Sequence, residues 1–323
     1  MFYRMFAVSI AFFMLFAQGC GSVQAQNSGR MPEAAVASNT EQEITAVASA
    51  DYLAFAETIK VPSQPLKEVF VSDGYTIDLT NRNEGYITVS SDNVPDKKIK
   101  VLVSKDDQKY YYDFTNQGAF TTYPLQLGDG IYKIAVFENV EDDKYALVAS
   151  TETDVNLQNE FDPYLIPSQI VDYSKDSKAV YESFLLCNGT LNDLSRVAAI
   201  YGYIVDNIAY DTQKAANLSS GYLPNIDNTL SDKQGICYDY SALLACMLRA
   251  ENIPTRLVMG YVSGYDVYHA WNEIYITDVG WVRAAIYFDG QSWQILDSTF
   301  GAADGGSFQN ADGDSKYTKL KWY

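Results

Sequence analysis

Histidine occurs once in the chain, at His269. Chemistry that needs an imidazole base therefore has one residue to use. Cysteine is also sparse: Cys20, Cys187, Cys237 and Cys246 are the four present. With a single histidine beside them, neither a structural nor a catalytic zinc site is expected, and no cofactor is called for. Positive charge is scarce too, with 23 Lys and Arg against 41 Asp and Glu and a formal net charge of −18. A chain this acidic is repelled by phosphate backbones, which argues against nucleic acid as a partner. Residues 6–17 form an apolar stretch broken by Ser9, well short of the roughly 20 residues a membrane-spanning helix needs.

That stretch, behind Arg4, reads as an export signal. It closes on Ala17-Gln18-Gly19-Cys20, small residues ahead of a cysteine, and resembles a bacterial lipobox, whose cysteine becomes the lipidated first residue. Ala17 stands where that motif prefers leucine, and an ordinary cleaved signal with an incidental cysteine is the other reading. The expectation is a signal over 1–20, lipidation at Cys20, and an exported protein anchored at the extracellular or periplasmic face of the cell membrane. Residues 21–60 are rich in Ala, Ser, Gln, Glu and Asn and read as a disordered tether. Cys187 and Cys246 have two open readings: a disulfide in an oxidising compartment, or two buried free thiols.

Composition shifts twice beyond the tether. Residues 61–158 alternate strand-like runs (69–71, 86–89, 99–103, 110–114, 131–137 and 145–148) with turn clusters such as Ser72-Asp73-Gly74 and Glu141-Asp142-Asp143. This predicts an immunoglobulin-like β-sandwich acting as spacer, binding module or substrate-positioning module. From 159 to 323 the pattern is mixed α+β. A helix starts in Thr190-Leu191-Asn192-Asp193 and gives out near Asn207–Asp211; a polar stretch from Asn217 to Asp232 follows. A second helical run covers Tyr238–Ala250 with Leu243, Leu244, Met247 and Leu248 on its apolar side, and Pro254 stops it. Strands are expected over 255–262, 269–276 and 293–297, with a hairpin between Trp281 and Asp289-Gly290. Asn310–Asp314 hints at a calcium loop but lacks the later bidentate acid, so a surface turn is the better reading.

Three residues carry chemistry in this layout. Cys237 follows Gly235-Ile236 at a helix start, where the helix dipole and unpaired N–H groups would lower its pKa and cradle a developing oxyanion. His269 begins one strand and Asp297 ends another, the order of a thiol nucleophile, a base and an orienting carboxylate. Taken alone, a cysteine at a helix start is usually structural, and a lone histidine is usually a satisfied polar group. The neighbouring strings decide the matter: Asn207-Ile208-Ala209-Tyr210-Asp211, Gly235-Ile236-Cys237, Asn252-Ile253-Pro254-Thr255-Arg256, His269-Ala270-Trp271-Asn272-Glu273 and Asp297-Ser298-Thr299.

In that order the five strings resemble the transglutaminase-like superfamily, with its papain-like Cys-His-Asp core, over about 110 residues; the sandwich and tether lie outside the resemblance. It implies Cys237 as nucleophile, His269 as base and Asp297 as the carboxylate that orients it. The approach to the aspartate is stretched here, which leaves Asp289 as a minor rival. Tyr210 and Gln234 are candidate second oxyanion donors. The implied function is acyl transfer on peptide or protein amides, by hydrolysis or transamidation through a thioester, with protein or cell-wall peptide as substrate. The alternative is a non-catalytic surface binding or structural lipoprotein on the same fold.

Overall fold

Asp73 and Gly74, at φ 50° and 81°, close a two-residue turn that brings β1 (Val69–Ser72) back along β2 (Tyr75–Asp78). Paired positive φ values match the right-handed twist of hairpin strands, which is why Asp-Gly serves here. This is seen in a computed structural model that describes residues 50–92, 97–114, 119–190, 192–262, 265–284, 286–288, 293–295 and 317–323. The sandwich continues with β3 (Tyr86–Ser91), β4 (Ile99–Lys105), β5 (Gln108–Phe114), β6 (Thr121–Pro124), β7 (Gly130–Glu141) and β8 (Lys144–Val155). They form two four-stranded sheets, β1-β2-β3-β6 and β5-β4-β7-β8, with antiparallel pairing throughout. Strand alternation sets the layers: in β5, Tyr110, Tyr112 and Phe114 are buried while Tyr111 points out. Two strands escape the sequence pattern. β2 follows its turn at once, and β6 ends in Pro124, which demotes a run in a sequence reading yet suits an edge strand.

Mixed structure follows: α2 (Lys178–Cys187), α3 (Asp193–Asn207), β9 (Ala209–Tyr210), α4 (Thr212–Ala216), α5 (Ile226–Asp232), β10 (Gln234–Gly235) and α6 (Cys237–Ala250). Asn192, Asp211 and Asn225 cap α3, α4 and α5 through their side chains. Strands β11 (Thr255–Val262), β12 (Tyr265–Ile276), β13 (Gly280–Ala284) and β16 (Tyr317–Trp322) pair in the order β13-β12-β11-β16, while β14 (Ile286–Phe288) pairs with β15 (Trp293–Ile295). Helix α6 is buried at every position from Asp239 to Ala250, packed among α2, α3 and α5 and against β11 and β12. An apolar circumference of this kind marks a central helix.

Residues 49–323 form one compact unit whose buried core runs from the sandwich into the helices. The tether expected over 21–60 needs correcting at its end. Residues 50–56 are helical (α1), Tyr52 and Phe55 stack on Phe184 at 5.5 and 5.3 Å, and Ala56 and Ile59 are buried. Four apolar residues at helical spacing outweigh the polar composition around them. The expected signal, Cys20 and the tether to residue 49 lie outside the described residues. Among the described residues no helix is long and apolar enough to cross a membrane. Cys187 and Cys246 are buried free thiols.

Glu251 is buried beside α6, with Arg196 Nε 3.8 Å from its carboxylate. Burial outweighs that neighbour and pushes its pKa up to about 7. The raised value means the folded state holds a proton that the unfolded chain has released. The resulting stabilisation is complete below the unfolded pKa of about 4.5 and fades as pH rises through 7, by about 3 kcal/mol at most. Glu251→Gln is therefore expected to flatten the stability profile between pH 5 and 8 in urea titrations, with its gain over wild type largest at pH 8.

Candidate active site

Parallel pairing of β9 with β10 sets Gly235 opposite Tyr210 and delivers the chain into α6. A Cβ on Gly235 would sit 2.8 Å from Asp239 Cβ and 3.2 Å from Thr229 Cγ2, so glycine is what the close approach requires. Ile236 is extended and caps the helix; Cys237 is its first residue. Asp239, three residues past the cap, reaches back to accept the Ile236 N–H at 2.8 Å, half of a capping box. The same carboxylate takes the Tyr222 hydroxyl at 2.5 Å and the Lys214 ammonium at 2.6 Å, and Lys214 lies 4.5 Å over the Tyr222 ring. The segment between α4 and α5 is thus pinned to the helix turn that carries the thiol.

Asn272 sets the register between α6 and β12: its side chain donates to the Ser241 carbonyl at 2.9 Å. One helical turn back from Ser241 is Cys237, and two strand residues back from Asn272 is Ala270. Those steps are nearly equal, about 6.0 and 6.8 Å, which brings Cys237 level with Ala270. The backbone N–H groups of Ala270, Tyr238 and Cys237 itself lie near enough to the Cys237 sulfur to favour its thiolate. His269 is the next residue along β12, opposite Gly260 on β11. Cys237 and His269 line one cleft of about 320 Å³, walled by Tyr222, Tyr238, Tyr268 and Tyr323.

The thiol's electrostatics differ from the sequence expectation. Burial raises the Cys237 pKa; the three N–H groups oppose it, and the Asp239 charge adds to it. A helix N-terminus alone does not make a thiolate here, because the sulfur has lost more to desolvation than the N–H groups return. Tyr210 is pushed up to about 12, by burial first and then by the charges of Cys237, Asp211 and Asp239. Its hydroxyl is therefore protonated at neutral pH and lies within electrostatic reach of the sulfur, but Tyr210 is not among the residues lining the cleft. Gln234 is exposed and is not among the residues lining the cleft. Asp297 and Asp289 lie outside the described residues. Among the described residues no group of three or more His, Cys, Asp and Glu is placed to hold a metal ion.

Two parts of the site had little or no sequence signal. Asp239, at the third helical position, was legible as a cap but not as an anchor for Tyr222 and Lys214. Tyr111, Tyr112 and Asp113 of the sandwich also line the cleft, brought there by tertiary packing alone. Asp239→Asn carries two opposed expectations. Unpairing the half-buried Lys214 lowers stability by about 2–4 kcal/mol in urea unfolding. Removing the negative charge shifts the pH midpoint of Cys237 alkylation downward.

The model of the transglutaminase-like superfamily matches residues 185–286. Among curated relatives, the uncharacterized protein YebA of Bacillus subtilis (strain 168) is 29% identical over 114 residues, 28% of this chain and 15% of its own. Kyphoscoliosis peptidase of Mus musculus is 28% identical over 121 residues, 34% of this chain and 16% of its own. The chain thus spans about one sixth of the length of these relatives. Among solved structures, a candidate cysteine protease from Cytophaga hutchinsonii is 15% identical at a TM-score of 0.35, covering 74% of this chain and 91% of that one. Red sea bream transglutaminase is 15% identical at a TM-score of 0.28, covering 66% and 47%.

Proposed function

We propose, from the match of residues 185–286 to the transglutaminase-like superfamily, that the protein is a cysteine-dependent acyl-transfer enzyme acting on peptide or protein amides. One observation carries the reading: Cys237 and the chain's single histidine line one cleft, with the N–H of Ala270, the immediate neighbour of that histidine, near enough to the Cys237 sulfur to favour its thiolate. His269 takes the thiol proton as Cys237 Sγ attacks the amide carbonyl, then gives that proton to the leaving amine. A thioester to Cys237 remains, and water or a second amine releases the acyl group. The oxyanion is met by the Cys237 N–H at the helix start, with the Tyr210 hydroxyl as second donor. Asp297 orients His269.

On sequence grounds we place the enzyme at the cell surface, exported and held by lipid at Cys20, with protein or cell-wall peptide as substrate. The sandwich is read as immunoglobulin-like. What supports this is its strand order, with β2-β3-β6 in one sheet and β5-β4-β7-β8 in the other and the chain crossing between them at β3–β4, β5–β6 and β6–β7. The reading is tested with casein as a general amide substrate, measuring new amine termini, ammonia release and incorporation of a fluorescent primary amine. Peptide cleavage marks a protease, amine incorporation a transamidase. Absence of all three products would favour the binding-module alternative.

A further inference from the structure

The outer face of the sheet β5-β4-β7-β8 continues the thiol cleft. Across its strands, Asp113 pairs with Lys100 and Lys100 with Phe137, and Phe137 with Leu147 beyond. Lys100 and Asp113 form an ion pair at 2.5 Å. Asp113 lines the cleft that holds Cys237, whereas Lys100 lines a second groove of about 260 Å³ with Tyr111, Phe137 and Tyr145. Tyr111 belongs to both; its ring lies 6.5 Å from that of Phe137, and the residue is 55% exposed. An apolar path therefore leaves the thiol, crosses Tyr111 and enters an aromatic groove on the sandwich.

We propose that this groove is an extended subsite for the acyl-donor polypeptide, taking a large apolar or aromatic side chain a few residues from the amide presented to Cys237. The inference rests on the acyl-transfer reading of the cleft. Three features point to a polypeptide crossing the sheet face. From β5 to β8 the face spans three strand spacings, about 14 Å, which roughly four extended residues cover. The groove offers aromatic surface, and its one cation, Lys100, is already paired with Asp113, so an apolar side chain is the complementary occupant. Pairing along the edge of β5 is hindered: the Asp113 carbonyl is taken by the Gln169 side chain, and the Lys109 carbonyl by Lys321 Nζ at 2.6 Å. A substrate chain is thus directed over the face rather than added as a further strand.

The test uses hexapeptides of Gly and Ser bearing an N-terminal iodoacetyl group, with one Phe moved through the six positions. Rates of Cys237 alkylation are read by peptide mass spectrometry and divided by the iodoacetamide rate on the same protein. With Phe at one or two positions the ratio is expected to rise at least tenfold over the Phe-free peptide. Phe137→Ser and, separately, Tyr145→Ser are expected to return it to the Phe-free value. A ratio indifferent to Phe position, or a rise that survives both substitutions, overturns the subsite. Failure of the underlying reading shows in a different arm, as iodoacetamide alkylation of Cys237 no faster than an ordinary thiol and indifferent to His269→Ala.

Discussion

Cys237→Ala is expected to abolish acyl transfer, lowering turnover by on the order of 10⁴–10⁶-fold, as removal of a covalent nucleophile does elsewhere. The side chain is half-buried, at the first position of a helix whose cap is made by Asp239 and whose register is set by Asn272. Removing the sulfur therefore leaves the fold in place, and stability is expected to change by about 1 kcal/mol or less. His269→Ala is expected to cost nearly as much turnover, and the double variant little more than either alone, since the two act as a unit. Turnover of casein, with unfolding curves in parallel, separates this outcome from a structural role. Activity retained in Cys237→Ala, or loss matched by unfolding, would contradict the assignment.

The largest effect on stability is expected at Arg249. Its guanidinium is buried among α6, β11 and the chain end, and all its described partners are carbonyls: Thr255 at 3.0 and 2.9 Å, Ile166 at 2.8 Å and Tyr323 at 2.9 Å. Burial draws its pKa below the usual arginine range. The start of β11 and two segments distant in sequence, at Ile166 and Tyr323, are tied to the helix by this one fork, whose geometry lysine does not reproduce. Arg249→Met fills much of the volume but leaves buried carbonyls without donors. The expected loss is about 3–5 kcal/mol, or a fall in Tm of about 10 °C. Urea unfolding with near-ultraviolet circular dichroism reads it. A change under about 1 kcal/mol would mean that water replaces the guanidinium.

Why was Arg249 not legible beforehand? In Leu248-Arg249-Ala250 it reads as the solvated tip of an apolar helix, and only the fold shows the helix enclosed on every side. The thiol failed in the same way. A helix start is visible in Gly235-Ile236-Cys237, yet desolvation, which decides the direction of its pKa, depends on neighbours far along the chain. What did carry over was local. The start of α3 within 190–193, the helical run Tyr238–Ala250 and the strands holding Arg256 and His269 are set by caps and periodicity within a few residues. Helix α5 was missed because seven residues in a polar stretch show too little period. Helix α2 did carry a signal, since Ala179, Val180, Ser183, Phe184 and Cys187 fall on one face. The contribution of β5 to the cleft had none.

The proposed pairing of Cys237 with His269 is tested most directly by the pH dependence of Cys237 alkylation with iodoacetamide, in wild type and in His269→Ala. The buried thiols Cys187 and Cys246 serve as internal controls. Burial by itself lifts the Cys237 pKa, so a thiolate at neutral pH would require an imidazolium beside it. The account predicts alkylation of wild-type Cys237 already fast near pH 6, and a midpoint in His269→Ala displaced above the ordinary thiol range, while Cys187 and Cys246 stay unlabelled throughout. Identical profiles in the two proteins would show that the histidine does not act on the sulfur, and the acyl-transfer reading would fall with it.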